Sequence, residues 1–313
     1  MSAPHLDDPF FCELSGLGLI AISGPDAQPF LHGQVTCDVN GLGPDASRYG
    51  GYCSPKGRLL GTFLVWRTAE GFLLQLPAPL REAVRKRLSL FILRSKVKAA
   101  DASDAFVRLG VGGSKARAAV EKILGPAPAA VHGVTHAADA TLLALPGGRI
   151  EIVMPADKSA ALRDALRGAA KETDARAWEL MDIRAGIPAI LPATQDTFVP
   201  QMVNLDLIGG VSYTKGCYPG QEIVARTHYL GRLKQRAYLA HIEASTAPQP
   251  GDALYSAGFG EQASGTIVNA APAPSGGYDV LAVIQTAGAA AGAVRWKSAD
   301  GPALTFRTLP YAA

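Results

Sequence analysis

The spacing of apolar residues changes from a strand-like to a helical period twice along the chain, which limits the folds that the chain can adopt. Short apolar runs in GLGLIAIS (16–23), in the strand–turn–strand segment 51–67 and in FLLQLP (72–77) are typical of strands. Over residues 79–94 the apolar residues recur with a helical period, which predicts a helix with one buried face. The predicted face consists of Leu80, Val84, Leu88, Phe91 and Ile92.

The same order of elements returns in the middle of the chain. AFVRLGVGG (105–113) predicts a strand, and TLLALPGGRIEIVMP (141–155) predicts a hairpin closed by Pro-Gly-Gly. Two amphipathic helices are predicted over 158–170 and 175–186. Strands followed by single helices, twice over, indicate two α+β units in which helices pack on a sheet.

Helical patterns disappear after about residue 237. The remaining sequence consists of short strand-forming runs separated by turn residues, and we interpret AGAAAGA (287–293) as a hairpin loop. The predicted fold class is therefore α+β, with two ferredoxin-like α+β units and a small C-terminal β-barrel. The predicted segments are 1–100 (able to receive strands or helices from 178–236), 101–177, a connecting helix with the KGCYPGQE segment over 178–236, and the barrel over 237–313.

Cysteine spacing limits the metal chemistry. The four cysteines, at 12, 37, 53 and 217, form no C-x-x-C pair, and no nearby histidine completes a metal-binding spacing. The sequence therefore predicts neither a closed zinc site nor an iron–sulfur cluster held by this chain alone.

Charge and hydropathy indicate where the protein works. The N-terminal segment MSAPHLDDPFF is acidic and lacks the apolar core of a signal peptide, and no run of about 18 apolar residues is present. We expect a cytoplasmic protein whose cysteines stay reduced.

KGCYPGQE (215–222) combines a thiol, an ammonium group and a carboxylate around a Pro-Gly pair. Pro219 and Gly220 fit the central positions of a type II turn. A cysteine held there beside Lys215 would be partly exposed in a positive field, which favours the thiolate. The alternative is a buried cysteine that packs as a small apolar residue, with the turn serving only the fold.

Two basic runs have no single interpretation from the residues alone. They are either solvated helix faces or contacts for a polyanion, such as nucleic acid or the tail of a small molecule. The first run is not interleaved with aromatic residues in the manner of single-strand binding proteins. The runs consist of Arg81, Arg85, Lys86, Arg87, Arg94, Lys96 and Lys98, and of Arg226, Arg232, Lys234 and Arg236.

Three motifs in the same order carry a family resemblance. FLHGQVTCDV (30–39) and WELMDIRAGIP (178–188) resemble motifs of the glycine-cleavage T-protein superfamily. FVPQMVNLDLIGGVSYTKGCYPGQEIVAR (198–226) resembles the YgfZ family, the folate-binding branch of that superfamily, whose hallmark is K-G-C-[YF]-x-G-Q-E. The resemblance covers about residues 15–240, and the C-terminal unit by its architecture.

The resemblance implies a ring of domains around a central hole that fits tetrahydrofolate, and a role in iron–sulfur cluster assembly or repair and in tRNA modification. It implies that Cys217 is a functional thiol and that no metal is permanently bound. The residues that would shape the thiol site are Lys215, Gly216, Tyr218, Gly220, Gln221 and Glu222. The folate contacts implied are Trp178, Arg184, Asn204, Tyr213 and Arg226.

The sequence departs from the superfamily pattern at two places. KGRLLGTF (56–63) has no Asp or Glu where aminomethyltransferases carry an acidic residue near the folate, and Arg184 stands where the superfamily often has a Glu that faces the pterin. An arginine cannot accept the pterin N–H groups, but it can bind the carboxylates of a folate.

Three functions are weighed. The first is a tetrahydrofolate-binding accessory protein for iron–sulfur cluster assembly or repair, with folate and iron–sulfur proteins or carriers as partners and neither direct nucleic-acid nor membrane contact. The second is a tetrahydrofolate-dependent aminomethyltransferase or methyltransferase, and the third is a binding module in which KGCYPGQE is only a structural turn. With one well-placed cysteine, this chain would share a cluster, transiently, with thiols of a partner or a second copy.

Overall fold

The computed structural model describes residues 8–137, 139–231 and 233–311. The first seven residues, which contribute to the prediction of no signal peptide, and Arg232 of the second basic run lie outside these ranges. The strands are β1 (Phe10–Glu13), β2 (Leu17–Ser23), β3 (Ser47–Cys53), β4 (Leu59–Thr68), β5 (Gly71–Pro77), β6 (Lys98–Asp101), β7 (Phe106–Gly112), β8 (Val134–Ala137), β9 (Ala140–Leu145), β10 (Arg149–Pro155), β11 (Lys171–Glu172), β12 (Gln235–Ile242), β13 (Ala253–Ser256), β14 (Gly265–Pro272), β15 (Tyr278–Gln285), β16 (Val294–Trp296) and β17 (Leu304–Arg307). The α-helices are α1 (Ala27–His32), α2 (Ala78–Ser89), α3 (Ala116–Leu124), α4 (Ser159–Arg167), α5 (Arg176–Arg184), α6 (Gln221–Tyr229) and α7 (Thr286–Ala290).

A five-stranded sheet in the order β3-β4-β5-β2-β6 contains the strands predicted from the first part of the sequence. Helix α2 buries Leu80, Val84 and Leu88. The predicted continuation of this apolar face is wrong, because the helix ends at Ser89 and Phe91 is 42% exposed. The chain leaves the helix through tight turns after Ser89, since it must reverse direction to pair β6 with β2.

A six-stranded sheet in the order β11-β1-β7-β10-β9-β8 follows. Its β9–β10 hairpin turns through Gly147 and Gly148, both with positive φ, which confirms the predicted Pro-Gly-Gly turn. Helices α3 and α4 pack on this sheet and bury a common apolar core that includes Val120, Ile152 and Leu162.

The C-terminal sheet has the order β16-β13-β14-β15-β12-β17, with antiparallel neighbours throughout. Its core contains Ile242, Ile267 and Trp296. The prediction of a purely β segment is wrong at one point, because Thr286–Ala290 forms the short helix α7 within the tract interpreted as a hairpin loop. Alanine is the strongest helix former, and Gly288 lets this helix approach Ser256 closely.

The chain divides into two compact units. The first unit comprises Met1–Leu31, Val39–Arg48 and Phe63–Trp178, and the second comprises His32–Asp38, Tyr49–Thr62 and Glu179–Ala313. The mixed α+β class is confirmed, while the four-segment division stays a prediction. Among the helices of the described chain, none is long and apolar enough to cross a membrane.

Candidate functional site

The KGCYPGQE segment forms a tight turn that leads directly into α6. The Gln221 N–H donates to the Tyr218 carbonyl over 3.1 Å, which closes a four-residue turn with Pro219 and Gly220 at its centre. Gly220 has φ 79° and ψ 2°, the conformation of the third position of a type II turn. These values confirm the turn predicted from the sequence.

This turn rests on a second turn, the SPKG segment between β3 and β4. A Cβ atom on Gly220 would lie 2.4 Å from the Ser54 carbonyl oxygen and 2.6 Å from the Gly57 Cα. Gly57 also has a positive φ of 69°, and a Cβ there would lie 2.8 Å from the Ile223 Cβ. Both glycines are needed because the two backbones touch where a side chain has no room.

The SPKG turn is itself held by the segment around residue 196. The Ser54 hydroxyl contacts the Asp196 carboxylate at 2.8 Å. The Asp196 N–H donates to the Leu59 carbonyl, and the Leu59 N–H donates to the Phe198 carbonyl, each over 2.8 Å. The 56–63 segment that lacks an acidic residue of its own is therefore paired with a segment that supplies a carboxylate.

Lys215 anchors the N-terminal end of the KGCYPGQE segment through hydrogen bonds. Its ammonium group donates to the carbonyls of His32 and Val35 and lies 5.0 Å from the centre of the Tyr218 ring. Burial lowers the pKa of Lys215 from its ordinary value to about 8. Lys215 therefore joins the KGCYPGQE turn to the FLHGQVTCDV segment, and its predicted effect on the Cys217 thiol stays a prediction.

His32 lies beside the residue that precedes the cysteine. A Cβ atom on Gly216 would be 3.9 Å from the His32 Nε2, and the His32 Nδ1 is 3.4 Å from a carboxylate oxygen of Asp38. Burial, and secondly the Lys215 charge, lower the pKa of His32, although Asp38 opposes this shift. The neutral imidazole is therefore favoured over the imidazolium at this position.

Cys217 differs from the other three cysteines, all of which lie in the part of the chain that the structure describes. Cys217 is exposed, whereas Cys12, Cys37 and Cys53 are buried. Burial, and secondly the Asp196 charge, raise the pKa of the Cys53 thiol to about 12. Cys217 is therefore the thiol that an external partner can reach. The described residues contain no group of three or more His, Cys, Asp or Glu side chains placed to hold a metal ion.

The helix after the turn carries an acidic start and an aromatic end. Glu222 lies exposed in the first turn of α6, where the helix dipole favours a carboxylate. The Tyr213 ring stacks on His228, with ring centres 3.7 Å apart, and the edge of Tyr229 meets both rings. Arg226 is exposed on the same helix.

Arg184, at the end of α5, binds a buried carboxylate. Its Nε donates to an Asp279 oxygen at 2.7 Å, and an Nη of Arg307 donates to the same oxygen at 2.9 Å. The Nδ1 of His241 lies 2.8 Å from the other oxygen. Asp279 is fully buried, while the Arg184 and Arg307 side chains are 34% and 37% exposed.

The two remaining predicted folate residues are buried. The Asn204 side-chain amide donates to the Ala237 carbonyl over 2.8 Å, and its residue has a left-handed φ of 60°. Trp178 belongs to the first unit, where the Arg149 guanidinium lies 4.5 Å from its ring and Gly110 packs against the same ring. Both side chains are used in packing within their own units.

The contacts around Lys215 and around Asp279 were not predicted from the sequence. His32 and Asp38 were visible within the FLHGQVTCDV motif, but nothing in the sequence linked them to Lys215, which is about 180 positions away. Asp279, His241 and Arg307 carried no motif at all, because strand pairing between β15, β12 and β17 brings them together.

Comparison with known proteins agrees with this fold. The model of the GCVT N-terminal domain matches residues 10–142. The structure resembles that of the glycine cleavage system aminomethyltransferase T from Bartonella henselae, with a TM-score of 0.76 and 17% sequence identity over 97% of this chain and 86% of that chain. At that identity the likeness shows the fold alone.

Two curated relatives are more similar in sequence. The tRNA-modifying protein YgfZ of Yersinia pseudotuberculosis is 33% identical over 95% of this chain and 91% of the relative. The protein of the same name from Sodalis glossinidius is 33% identical over 96% of this chain and 92% of the relative. With the KGCYPGQE turn and the GcvT-like fold, these similarities show that the chain belongs to the YgfZ family.

Proposed function

We propose that this protein is a tetrahydrofolate-binding accessory protein for iron–sulfur cluster assembly or repair, in which Cys217 is the functional thiol. The observation that carries the proposal is the position of Cys217: it is the exposed cysteine among four, and it stands on a turn held by Gly220 and Lys215. A rigid turn presents a thiol at a defined position, which a site that exchanges a ligand with a partner requires.

The first step is deprotonation of the Cys217 thiol. Cysteine binds iron as a thiolate, so the S–H proton must leave before or during binding. Because Cys217 is exposed, that proton can leave directly to solvent.

A cluster is cargo here and not a resident cofactor. Iron–sulfur clusters are ordinarily held by about four cysteine thiolates, and the other cysteines of this chain are buried. Cys217 therefore supplies one ligand, and a carrier protein or a second copy of the chain supplies the others.

The residues around Arg184 fit the acidic end of a folate. Arg184 and Arg307 share one buried carboxylate, so two positive charges face one negative charge, and both guanidinium groups are partly exposed. Each guanidinium has five N–H donors, and the bonds to Asp279 use only one on each. The donor set suits a carboxylate of the folate tail and does not suit the N–H groups of a pterin.

Other predicted residues take supporting parts in the same proposal. Arg226 and the Tyr213 ring offer a charge and an aromatic face from the second unit, while Asn204 and Trp178 act as positioning residues inside the units. We propose that the ligand binds against the Arg184–Arg307 pair of the second unit. Tetrahydrofolate supplies nitrogen atoms that carry one-carbon groups when it is bound.

Aminomethyl transfer and tRNA modification, the activities named for similar proteins, are not proposed as direct activities of this chain. Aminomethyl transfer is not proposed, because the 56–63 segment lacks the acidic residue of those enzymes and the likeness to the Bartonella henselae protein concerns the fold. The curated relatives are named tRNA-modifying proteins. For this chain we propose that tRNA modification depends on it through iron–sulfur enzymes that it assists, without direct contact with the nucleic acid.

Folate binding is tested by calorimetric titration of the full chain with tetrahydrofolate and with 5-formyltetrahydrofolate. We expect saturable binding to the wild type and at least a 10-fold weaker affinity for Arg184→Ala/Arg307→Ala, since each lost charge-assisted hydrogen bond is worth about 1.5–3 kcal/mol. Arg167→Ala/Arg176→Ala removes two exposed arginines and serves as the matched control. Failure of the folded wild type to bind either folate would remove the cofactor from the proposal.

The thiol is tested separately in a strain that lacks the gene for this protein. Cys217→Ala is expected to leave iron–sulfur enzyme activities at the level of the deletion strain, whereas Lys122→Ala, an exposed substitution in the first unit, is expected to restore them. Full restoration by Cys217→Ala at equal protein abundance would exclude the thiol from the function.

A further inference from the structure

A surface after α2 exposes large apolar side chains that the fold does not use. Leu90 is 74% exposed, Leu93 is 88% exposed and Phe91 is 42% exposed, all within four residues. The helix before them buries its own apolar face, so these three side chains are not part of it. Single exposed apolar residues are ordinary, but a cluster of three marks an interaction site.

Basic residues flank this cluster along the chain. Residues 83–100 contain six lysines and arginines and no acidic residue. Arg94, Lys96 and Lys98 are exposed and follow the apolar residues directly in the chain. The two carboxylates that border the run, Glu82 and Asp101, bind Arg85 and Arg81 and leave the cations after residue 90 to face outward.

The backbone holds this surface in place. The Lys96 N–H donates to the Asp26 carboxylate over 2.7 Å, and the Lys96 carbonyl would lie only 2.3 Å from a Cβ on Gly24. The turn after α2 is also closed by the hydrogen bonds from Phe91 N–H to the Leu88 carbonyl and from Ile92 N–H to the Ser89 carbonyl. A segment fixed at both ends presents the apolar side chains with little ordering cost on binding.

We propose that Leu90, Phe91 and Leu93, with Arg94, Lys96 and Lys98, form a docking surface for a partner protein that offers an apolar cleft bordered by carboxylates. An apolar centre with a charged rim is the usual composition of a protein interface, and complementary charge accelerates association. We name these six residues the apolar–basic surface. It lies in the first unit, and it is independent of folate binding and of Cys217.

The composition of the apolar–basic surface argues against a membrane, RNA or a second copy of the chain as its partner. A membrane surface is bound by the exposed apolar face of an amphipathic helix, and here that face of α2 is buried. RNA is bound by aromatic stacking, and two of the three exposed side chains are leucines. A second copy placed with its own apolar–basic surface against this one would oppose like charges.

The test places a photoreactive p-benzoylphenylalanine at position 93, or at position 131 as a control, in the full chain. Val131 is also in the first unit and is 55% exposed, but it lies outside the apolar–basic surface. After irradiation in the source cells, cross-linked peptides are identified by mass spectrometry. We expect position 93, and not position 131, to cross-link to one protein segment that contains both apolar and acidic residues.

The identified protein is then purified and titrated with variants. Leu90→Ser/Leu93→Ser is expected to weaken its binding about 10- to 100-fold, as removal of central apolar contacts does in other interfaces. Val131→Ser should leave the affinity unchanged. Lys96→Glu should lower the association rate and its dependence on salt, while Lys122→Glu, which makes the same change of charge on α3, should not.

Three results would overturn the proposal. These are equal cross-linking at positions 93 and 131, cross-links from position 93 to lipid, RNA or a second copy of this chain, and unchanged affinity of the purified partner for Leu90→Ser/Leu93→Ser. Circular dichroism melts of each variant separate a loss of binding from a loss of folding, and little change is expected because the altered side chains face solvent.

Discussion

Gly57 and Gly220 face each other so closely that a Cβ atom on Gly220 would lie 2.6 Å from the Gly57 Cα. The contact joins the turn between β3 and β4 to the turn that carries Cys217. Because both glycines also have positive φ, the sequence needs glycine at each position for two separate reasons. The position of the thiol therefore depends on a backbone contact between two turns far apart in sequence.

The first prediction separates the cost of a positive φ from the cost of steric overlap at Gly220. Gly209 has φ 76°, close to the 79° of Gly220, but nothing lies within 4 Å of its Cβ position. Gly209→Ala should cost about 1 kcal/mol of the free energy of unfolding through backbone strain alone, whereas Gly220→Ala should cost about 3 kcal/mol through strain and overlap. Urea denaturation measures both. Equal losses would mean that the two turns do not touch in solution.

The second prediction concerns thiol reactivity. In the folded protein at pH 8, iodoacetamide should modify one cysteine per chain rapidly, and Cys217→Ser should abolish that rapid phase. The buried thiols should react only after unfolding, since burial limits access and raises the pKa of Cys53 to about 12. Mass spectrometry of the modified peptides gives the site. Rapid modification of Cys12, Cys37 or Cys53 would contradict the assignment.

The third prediction is a pH dependence of stability that arises from Lys215. Its pKa is about 8 in the folded protein and 10.5 ordinarily, so the unfolded chain binds more protons between these values. The free energy of unfolding of the wild type should therefore rise relative to Lys215→Met as the pH increases from about 8 to 10.5, and the difference should be constant below pH 8. Urea denaturation at several pH values measures it.

A control and a contrary outcome accompany this measurement. Lys122 is exposed on α3, and Lys122→Met should show no such rise. A difference between the wild type and Lys215→Met that stays constant from pH 7 to 10.5 would show that burial does not lower the pKa of the Lys215 ammonium in solution.

The fourth prediction concerns the buried carboxylate that holds two arginines and a histidine. Asp279→Asn should reduce the free energy of unfolding by about 3 kcal/mol, because it removes the charge that compensates Arg184 and Arg307. Asp164→Asn also removes a partner of an arginine, but at a 74% exposed side chain, and should cost less than about 0.5 kcal/mol. Similar losses from both substitutions, measured by thermal and urea denaturation, would contradict the role of Asp279.

The KGCYPGQE turn shows what local sequence can predict. Pro219 restricts φ and Gly220 permits a positive φ, so the type II turn follows from two neighbouring residues and was predicted correctly. The helix over 79–94 shows the limit, since its period was recognised but its end was not. The helix stops at Ser89 because β6 must pair with β2, which no residue near position 89 specifies.

The elements whose causes are local could therefore be predicted from the amino-acid sequence, namely the strand and helix periods, the Pro-Gly turns and the motifs of the family. Long-range packing sets which side chains meet. Strand pairing brings Asp279 to His241 and Arg307, the fold places Lys215 on the carbonyls of His32 and Val35, and Phe91 remains outside the core that its spacing predicted. These contacts join residues far apart in the chain, and their geometry depends on the packing of the whole unit, which no local pattern encodes.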